Sequence, residues 1–474
     1  MGRSSEEPGD NITPEARRPH SLLAGREGER EGQHRMAVTY RDIALPFLSA
    51  LGDSAKQHPK RKFRRLYETM CRMDVLREAW RQARANDGSP GIDGVTFRAI
   101  EDGPGGVQGF LEELQADLEA GRYRPWPVRR VFIPKAGKPG QFRPLGVPRI
   151  RDRVAQTAAK LVLEPVFEAR FLDCSFGFRP GRSAIQALDT AREAVAAGNG
   201  FVVDADVEAF FDNLDHQKLL WLLDEQVWDP RMRKLVRQWL QAGLVYHGKR
   251  EATEKGTPQG GPVSPLLANL YLHYFDRSWR SQGRELGQLV RYCDDFIVLC
   301  PTQQAAIEAL ATVRAILARL GLRVNEGKTR IVDLNDPKQG FDFLGYAHRL
   351  KPDGKGRGYK RLRRWPGTKA AKRIGERVKA ILLDPTLPPE PKAVVGELNA
   401  VLRGWGAYFR WGDSRQIFSK VDHYVCRRFA LWLARKYGRR GTGWSWRTRQ
   451  GQIMTIYRFA RLLGLHQLRG TECP

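Results

Sequence analysis

The stretch RYCDDFIVLC, residues 291–300, decides how the chain is read. It sets two adjacent carboxylates, Asp294 and Asp295, among residues built for burial. Tyr292, Phe296, Ile297 and Val298 are aromatic or β-branched, and with Leu299 they spell a strand. A charge taken out of water without a partner costs several kcal/mol or shifts its pKa. The pair therefore sits at a turn in water, or faces something positive. Taken alone, two Asp residues between apolar strands are ordinary hairpin chemistry, since Asp is a preferred turn residue.

A second acidic strand end changes that balance. In FVVDADVEAFFDNLDH (201–216), Asp204 and Asp206 flank Ala205, and a strand sends alternate side chains to the same side. A strand delivering an acid beside a hairpin presenting two more makes a carboxylate cluster, which repels itself unless a cation lies within it. Oxygen-only ligands favour Mg²⁺ or Mn²⁺ over zinc. Two such ions ~4 Å apart stabilise the attacking and leaving oxygens of phosphoryl transfer. Spacing does not choose between Asp204 and Asp206, and the plainer reading makes Asp204, Asp212 and Asp215 caps or surface acids.

Around these acids the pattern is strand, helix, strand, strand, helix, strand. The elements are 201–207, 256–275 running from a Gly/Pro loop into a helix, the two arms of the opening stretch, 302–320 and 324–332. This order predicts a split βαβ sheet with helices on one face, in an α+β fold. Upstream, 62–85 and 110–121 have helical spacing, 128–148 reads as strand, basic Gly/Pro loop, strand, and 151–171 reads as a helix kinked or broken at Pro165. A helix follows the first acidic strand at HQKLLWLLDEQV, and FDFLGY (341–346) is a short strand.

Charge is distributed unevenly. The 474 residues carry 80 Lys and Arg against 53 Asp and Glu, a net +27, and residues 346–474 hold 29 basic and 8 acidic side chains of that total. An excess concentrated in a folded segment points to a polyanion, most commonly nucleic acid. KPDGKGRGYKRLRRWPGTKAAKR (351–373) has ten basic residues and one acid. Helix-like segments over 391–437 then interleave Trp405, Tyr408, Phe409, Trp411, Phe429 and Trp432 with Arg and Lys. Arg and Lys meet phosphates and aromatics stack on unpaired bases, although burial statistics assign Trp405 and Trp432 to the inter-helix core. No apolar run is long enough to span a membrane, and the first residues lack the basic-then-apolar layout of a secretory signal. Six cysteines without a CxxC pair indicate neither a zinc ribbon nor a disulfide framework, so a reducing cytoplasm is expected. Residues 1–35 are polar and lack apolar periodicity, which predicts a disordered extension.

With these segments in hand, the chain resembles the bacterial group II intron-encoded reverse transcriptase/maturases. From about residue 85 to 445 its blocks follow the family order: GSPGIDGVTF, FIPKAGKPGQFRPLGVPRIRDRVAQ, FGFRPGRSAIQAL, DADVEAFFDNLDH, GTPQGGPVSPLLANLYL, RYCDDFIVLC, GLRVNEGKTRI and FDFLGY. The segment LNAVLRGWGAYFRWGD with HYVCRRFALWLARKYGRR resembles the maturase-specific thumb. The family more often has Ala where this chain has Cys293, and both are small.

The resemblance implies a right-hand polymerase: fingers and a split βαβ palm over 60–346, a basic α-helical thumb/maturase domain over 347–450, and a tail over 451–474. It selects Asp206 as partner of Asp294 and Asp295, with Asp206 and Asp294 as principal ligands of two Mg²⁺ (or Mn²⁺) ions and Asp295 supporting. Lys135 and Arg143 look like the residues that hold an incoming triphosphate, with a point charge and a two-pronged fork. Phe211 matches the bulky position that closes against a ribose 2′-hydroxyl, favouring deoxynucleotides, and Gln259 matches a contact to the incoming nucleotide. Lys360, Arg361, Arg363, Arg364, Lys369, Lys372 and Arg373 are the expected RNA contacts. The paired cysteines and histidines of the nuclease that many relatives carry do not appear before Pro474, so that nuclease is expected to be missing, and mobility would then take its primer elsewhere, such as at a replication fork.

The implied activity is RNA-directed DNA synthesis joined to intron RNA binding that assists splicing and mobility. Its partners would be group II intron RNA, an RNA template with DNA primer, deoxynucleoside triphosphates and target DNA. Two other readings compete: an RNA-binding splicing cofactor without polymerase activity, and a related reverse transcriptase recruited to host defence. The intact acids and Phe211 argue against the first, and the maturase-like thumb against the second.

Overall fold

Three sheets organise the computed structural model, which describes residues 45–134, 140–352, 360–385, 390–437 and 460–462. In the first sheet, β1 (Val128–Pro134) pairs antiparallel with β2 (Phe142–Val147). The second contains β3 (Phe201–Asp206) and carries the acids. A hairpin of β4 (Leu244–Tyr246) and β5 (Lys249–Glu251) extends the first sheet, with β4 parallel to β1. The second is completed by β6 (Gln288–Tyr292), β7 (Asp295–Cys300) and β8 (Arg330–Asp333), in the order β6-β7-β3-β8 and antiparallel throughout. The third runs β11 (Lys360–Pro366), β10 (Tyr346–Pro352), β9 (Phe341–Phe343).

The acidic sheet has the split βαβ order, since helix Ser264–Gln282 precedes β6 and helix Gln303–Arg319 joins β7 to β8. Strand alternation divides its residues between two cores. Val203, Ala205, Phe296 and Val298 enter one with those helices, where Phe275 and Phe296 sit 5.0 Å apart. Val202, Ile297 and Leu299 enter the other, with helix Ala184–Ala196, the third sheet and the C-terminal helices. Both faces are thus covered, where the sequence predicted helices on one. A fully buried Phe such as Phe296 contributes about 2–3 kcal/mol.

Local chemistry accounts for many boundaries. Ser183 and Gln186 form a reciprocal capping box at helix Ala184–Ala196. Asp215 accepts from the amides of Gln217 and Lys218, capping helix His216–Asp224. Thr302 caps Gln303–Arg319. Helix Ile150–Glu168 runs unbroken through Pro165. So near the C-terminus the missing N–H leaves only the Leu161 carbonyl without its helical partner. The helical pattern over 62–85 resolves into Leu66–Met70 and Met73–Asn86, and of the strand expected over 324–332 only residues 330–332 fall in β8. The basic segment after Tyr346, where a domain junction was expected, contains most of the β10–β11 hairpin.

Helices Thr368–Leu383, Pro391–Phe409 and Arg415–Lys436 pack into the second core. Trp405 lies against Phe409 and Phe418, and Trp432 stacks on Phe429 at 5.6 Å, so both tryptophans, half-buried, pack at the margin of this core. Among the described residues no helix is long and apolar enough to cross a membrane. The expected extension 1–35, Lys135 and most of the tail 451–474 lie outside the described residues.

Candidate active site

β3 and β7 run antiparallel with Asp206 opposite Asp295 and Asp204 opposite Ile297. Directly opposed residues share a face, so Asp204, Asp206 and Asp295 all project to the side of the second core. Tyr292 pairs with Asp295, which leaves Cys293 and Asp294 as the two-residue turn between β6 and β7. Cys293 has φ +58°, a conformation that costs a non-glycine residue about 1–3 kcal/mol. Such strain clusters at this site, for Ala209 just past Asp206, Leu344 beside Asp295 and Phe178 beside Tyr292 also have positive φ.

The acids differ in environment. Burial, then the charges of Asp204, Asp294 and Asp206, push the Asp295 carboxyl up to about 7, against an opposing hydrogen bond from the Leu344 amide. Burial likewise raises Asp204, while Arg330 works against it with Nε 3.2 Å from Oδ2. Asp206 is more open, and its Oδ2 accepts from Lys328 Nζ at 2.5 Å. Lys328 and Arg330 were not anticipated. Their alternation in KTR matches that of Asp204 and Asp206, and Arg330 is the register partner of Asp204.

Among the described residues no three potential ligands already converge on one point. The donor set nevertheless fits a hard divalent cation: the carboxylates are oxygen-only and neighbouring, and their mutual repulsion is what such an ion offsets. Asp206 would exchange its ammonium partner for it.

The residues expected on the nucleotide side, Phe211, Gln259 and Arg143, lie on elements joined to one another by backbone hydrogen bonds. Phe211 lies in the short 3₁₀ turn Phe210–Asp212, half-buried, with its ring 5.1 Å from Phe210 and its carbonyl accepting from the Thr257 amide at 2.8 Å. That bond ties the turn to the GTPQGG loop. The Gln259 carbonyl accepts from the Gly146 amide at 2.7 Å, tying the loop to β2. Gly260 has φ +126°, and a Cβ there would meet the Gly146 oxygen at 2.5 Å, so only glycine fits this junction. Arg143 is exposed on β2, opposite Ile133.

Of the expected RNA contacts, Lys360, Arg361, Lys369, Lys372 and Arg373 are exposed and Arg363 is partly so. Arg361 and Arg363 approach Asp413 at 3.7 and 3.8 Å, Lys369 approaches Asp342 at 4.0 Å, and Lys372 approaches Glu376 at 3.9 Å. Arg364 is a correction. It is buried, 3.1 Å from Asp189, and its Nε donates to the Trp411 carbonyl at 3.2 Å. β11 turns Leu362, Arg364 and Pro366 inward, so strand parity takes Arg364 off the surface.

Two family descriptions match the chain, together spanning more than half of it: "Reverse transcriptase (RNA-dependent DNA polymerase)" over residues 133–348 and "Group II intron, maturase-specific domain" over 371–451. The chain is 32% identical over 334 residues to Protein YkfC of Escherichia coli (strain K12), covering 62% of this chain and 85% of that protein. It is 35% identical over 237 residues to the Group II intron-encoded protein LtrA of Lactococcus lactis subsp. cremoris, covering 49% of this chain and 38% of LtrA. It is 27% identical over 386 residues to an uncharacterized 91 kDa protein in the cob intron of Schizosaccharomyces pombe, covering 66% of this chain and 47% of that one. The matches thus span less than half the length of the last two relatives. The chain belongs to the group II intron-encoded reverse transcriptases, a family joining an RNA-dependent DNA polymerase to an intron maturase-specific domain.

Proposed function

We propose that the protein copies primed RNA into DNA at the Asp206, Asp294 and Asp295 cluster and also binds group II intron RNA, assisting its splicing and supporting its mobility. The observation that carries this reading is the register of β3 on β7, which sets Asp206 beside Asp295 with Asp294 at the adjoining turn. In this reading the acidic sheet is the palm, the β1–β2 sheet belongs to the fingers, and the helices from Thr368 onward form the thumb/maturase domain.

Asp206 and Asp294 are the principal ligands, and the more enclosed Asp295 supports them. Two Mg²⁺ ions bound there would polarise a primer 3′-hydroxyl and offset charge on the triphosphate. Arg143, together with Lys135, grips phosphate oxygens. Phe211 closes against the sugar where a 2′-hydroxyl would project, selecting deoxynucleotides. Gln259 contacts the incoming nucleotide, while Gly260 and Gly261 let the backbone approach the template–primer. Lys360, Arg361, Arg363, Lys369, Lys372 and Arg373 meet the phosphates of the intron RNA, with Arg364 behind them as a bolt.

The test compares wild type with Asp294→Asn for cDNA synthesis on a primed RNA template and for splicing of the cognate intron. Loss of cDNA with splicing retained is the expected result. No cDNA from wild type in Mg²⁺ would overturn the polymerase assignment in favour of a splicing cofactor.

A further inference from the structure

Arg291 is the last but one residue of β6, and its side chain is fully buried. Nε and Nη2 form a two-pronged pair with Asp276 at 2.7 and 2.5 Å. Nη1 donates to the Cys293 carbonyl at 2.9 Å and to Asn269 Oδ1 at 3.2 Å. Asn269 and Asp276 are seven residues apart on helix Ser264–Gln282, two turns along one face. Asn269 Nδ2 in turn donates to the Gly177 carbonyl at 2.7 Å. Gly177 presses on the turn itself, because a Cβ there would lie 2.5 Å from the Cys293 nitrogen. The Arg291 backbone completes the frame, its N–H donating to Cys174 at 2.7 Å and its carbonyl accepting from Phe176 at 2.9 Å.

A buried ion pair is a poor device for stability, since its desolvation offsets most of its attraction and an apolar pair of similar volume often serves as well. What this pair does that an apolar pair cannot is aim one arm of a rigid fork at a single carbonyl. That carbonyl belongs to Cys293, the residue at φ +58°, and the next residue is Asp294. A turn in a strained conformation persists only where its surroundings over-determine it.

We propose that Arg291, fixed by Asp276 and Asn269, is a positioning residue for the reaction: it holds the Cys293–Asp294 turn from behind and so sets where the Asp294 carboxylate stands relative to Asp206. Lysine at 291 would keep the charge opposite Asp276, but one ammonium lacks the fork that reaches both the carboxylate and the Cys293 carbonyl. Asn269→Ala would leave the ion pair whole and remove both the second acceptor of Nη1 and the link to Gly177. This inference rests on the polymerase reading, and its test carries a readout independent of catalysis.

The experiment makes Arg291→Lys and Asn269→Ala in the full chain and measures three things: kcat and dNTP KM for primer extension, Mn²⁺ binding by the loss of the free-ion electron paramagnetic resonance signal, and affinity for intron RNA. A small displacement of one acid reduces kcat by about tenfold to a hundredfold. The dNTP KM and RNA affinity stay near wild type, and the Mn²⁺ midpoint moves to higher concentration. Asn269→Ala guards against a fold lost in Arg291→Lys. Wild-type kcat and Mn²⁺ midpoint in both variants, with only a lowered melting temperature, would overturn the proposal and leave Arg291 a structural ion pair. Absence of cDNA from wild type would strike the polymerase reading alone, and the Mn²⁺ midpoint would still decide the role of Arg291.

Discussion

Lys328 Nζ stands 2.5 Å from Asp206 Oδ2, although 122 residues separate them in the chain. Strand β8 brings them together by lying beside β3, and the same pairing sets Arg330 against Asp204. The acid that the family pattern selects therefore rests on an ammonium group whose charge would compete with any cation bound there.

Lys328→Met is accordingly expected to tighten Mn²⁺ binding. At an exposed site, one unit charge at about 4 Å contributes about 1 kcal/mol, or roughly a fivefold shift. The free-ion signal in a Mn²⁺ titration measures it. An unchanged or weakened midpoint would show that Lys328 does not compete for Asp206.

Phe211→Ala is expected to admit ribonucleotides, lowering the ratio of dNTP to rNTP incorporation by about tenfold or more, since discrimination by a steric wall goes with the wall. The ring is half-buried against Phe210, so the variant also loses about 2 kcal/mol of stability. Primer extension with each nucleotide class reads the first effect and thermal melting the second. Retained discrimination would assign Phe211 to the core alone.

Basic residues of β11 and of the helix that follows it are expected to divide into two groups. Substituting Lys360 or Lys372 with Gln should flatten the dependence of RNA affinity on salt by about 0.7 to 0.9, on logarithmic axes, for each phosphate that is no longer neutralised. Arg364→Gln should leave that slope alone and destabilise the fold by about 1–3 kcal/mol, because it strips the Trp411 carbonyl and Asp189 of a buried partner. A salt slope that follows Arg364 and ignores Lys360 and Lys372 would reverse the assignment.

Acid should weaken the fold through two histidines. Burial, with Arg364 beside it, holds His348 down to about 3, and burial with Arg277 and Arg291 nearby does the same to His273. Both values lie below the ordinary 6.5, so between them only the unfolded chain takes up the proton. Stability is then complete above about pH 6.5 and falls on acidification by about 1.4 kcal/mol per pH unit for each histidine. His348→Phe should remove one share of that slope, measured by denaturant unfolding between pH 7 and 5. An unaltered slope in the variant would remove His348 from the account.

Sequence periodicity by itself determined which residues could form the cluster. The two-residue alternation of DAD puts Asp204 and Asp206 on one side of a strand, and two short apolar runs around Cys293 and Asp294 make a tight hairpin. These are properties of neighbouring residues, so the strand–helix order of the acidic sheet was legible as well. Register and parity over long separations were not. Which acid of β3 stands opposite Asp295 follows from how β3 slides along β7, and the ammonium on Asp206 arrives with a strand from more than a hundred residues away. Arg364 looks like one more charge in a basic run until β11 pairs with β10 and turns it inward. The physical reason is the same in each case: a strand's pattern states which residues share a face, while only its pairing partner states which face is covered.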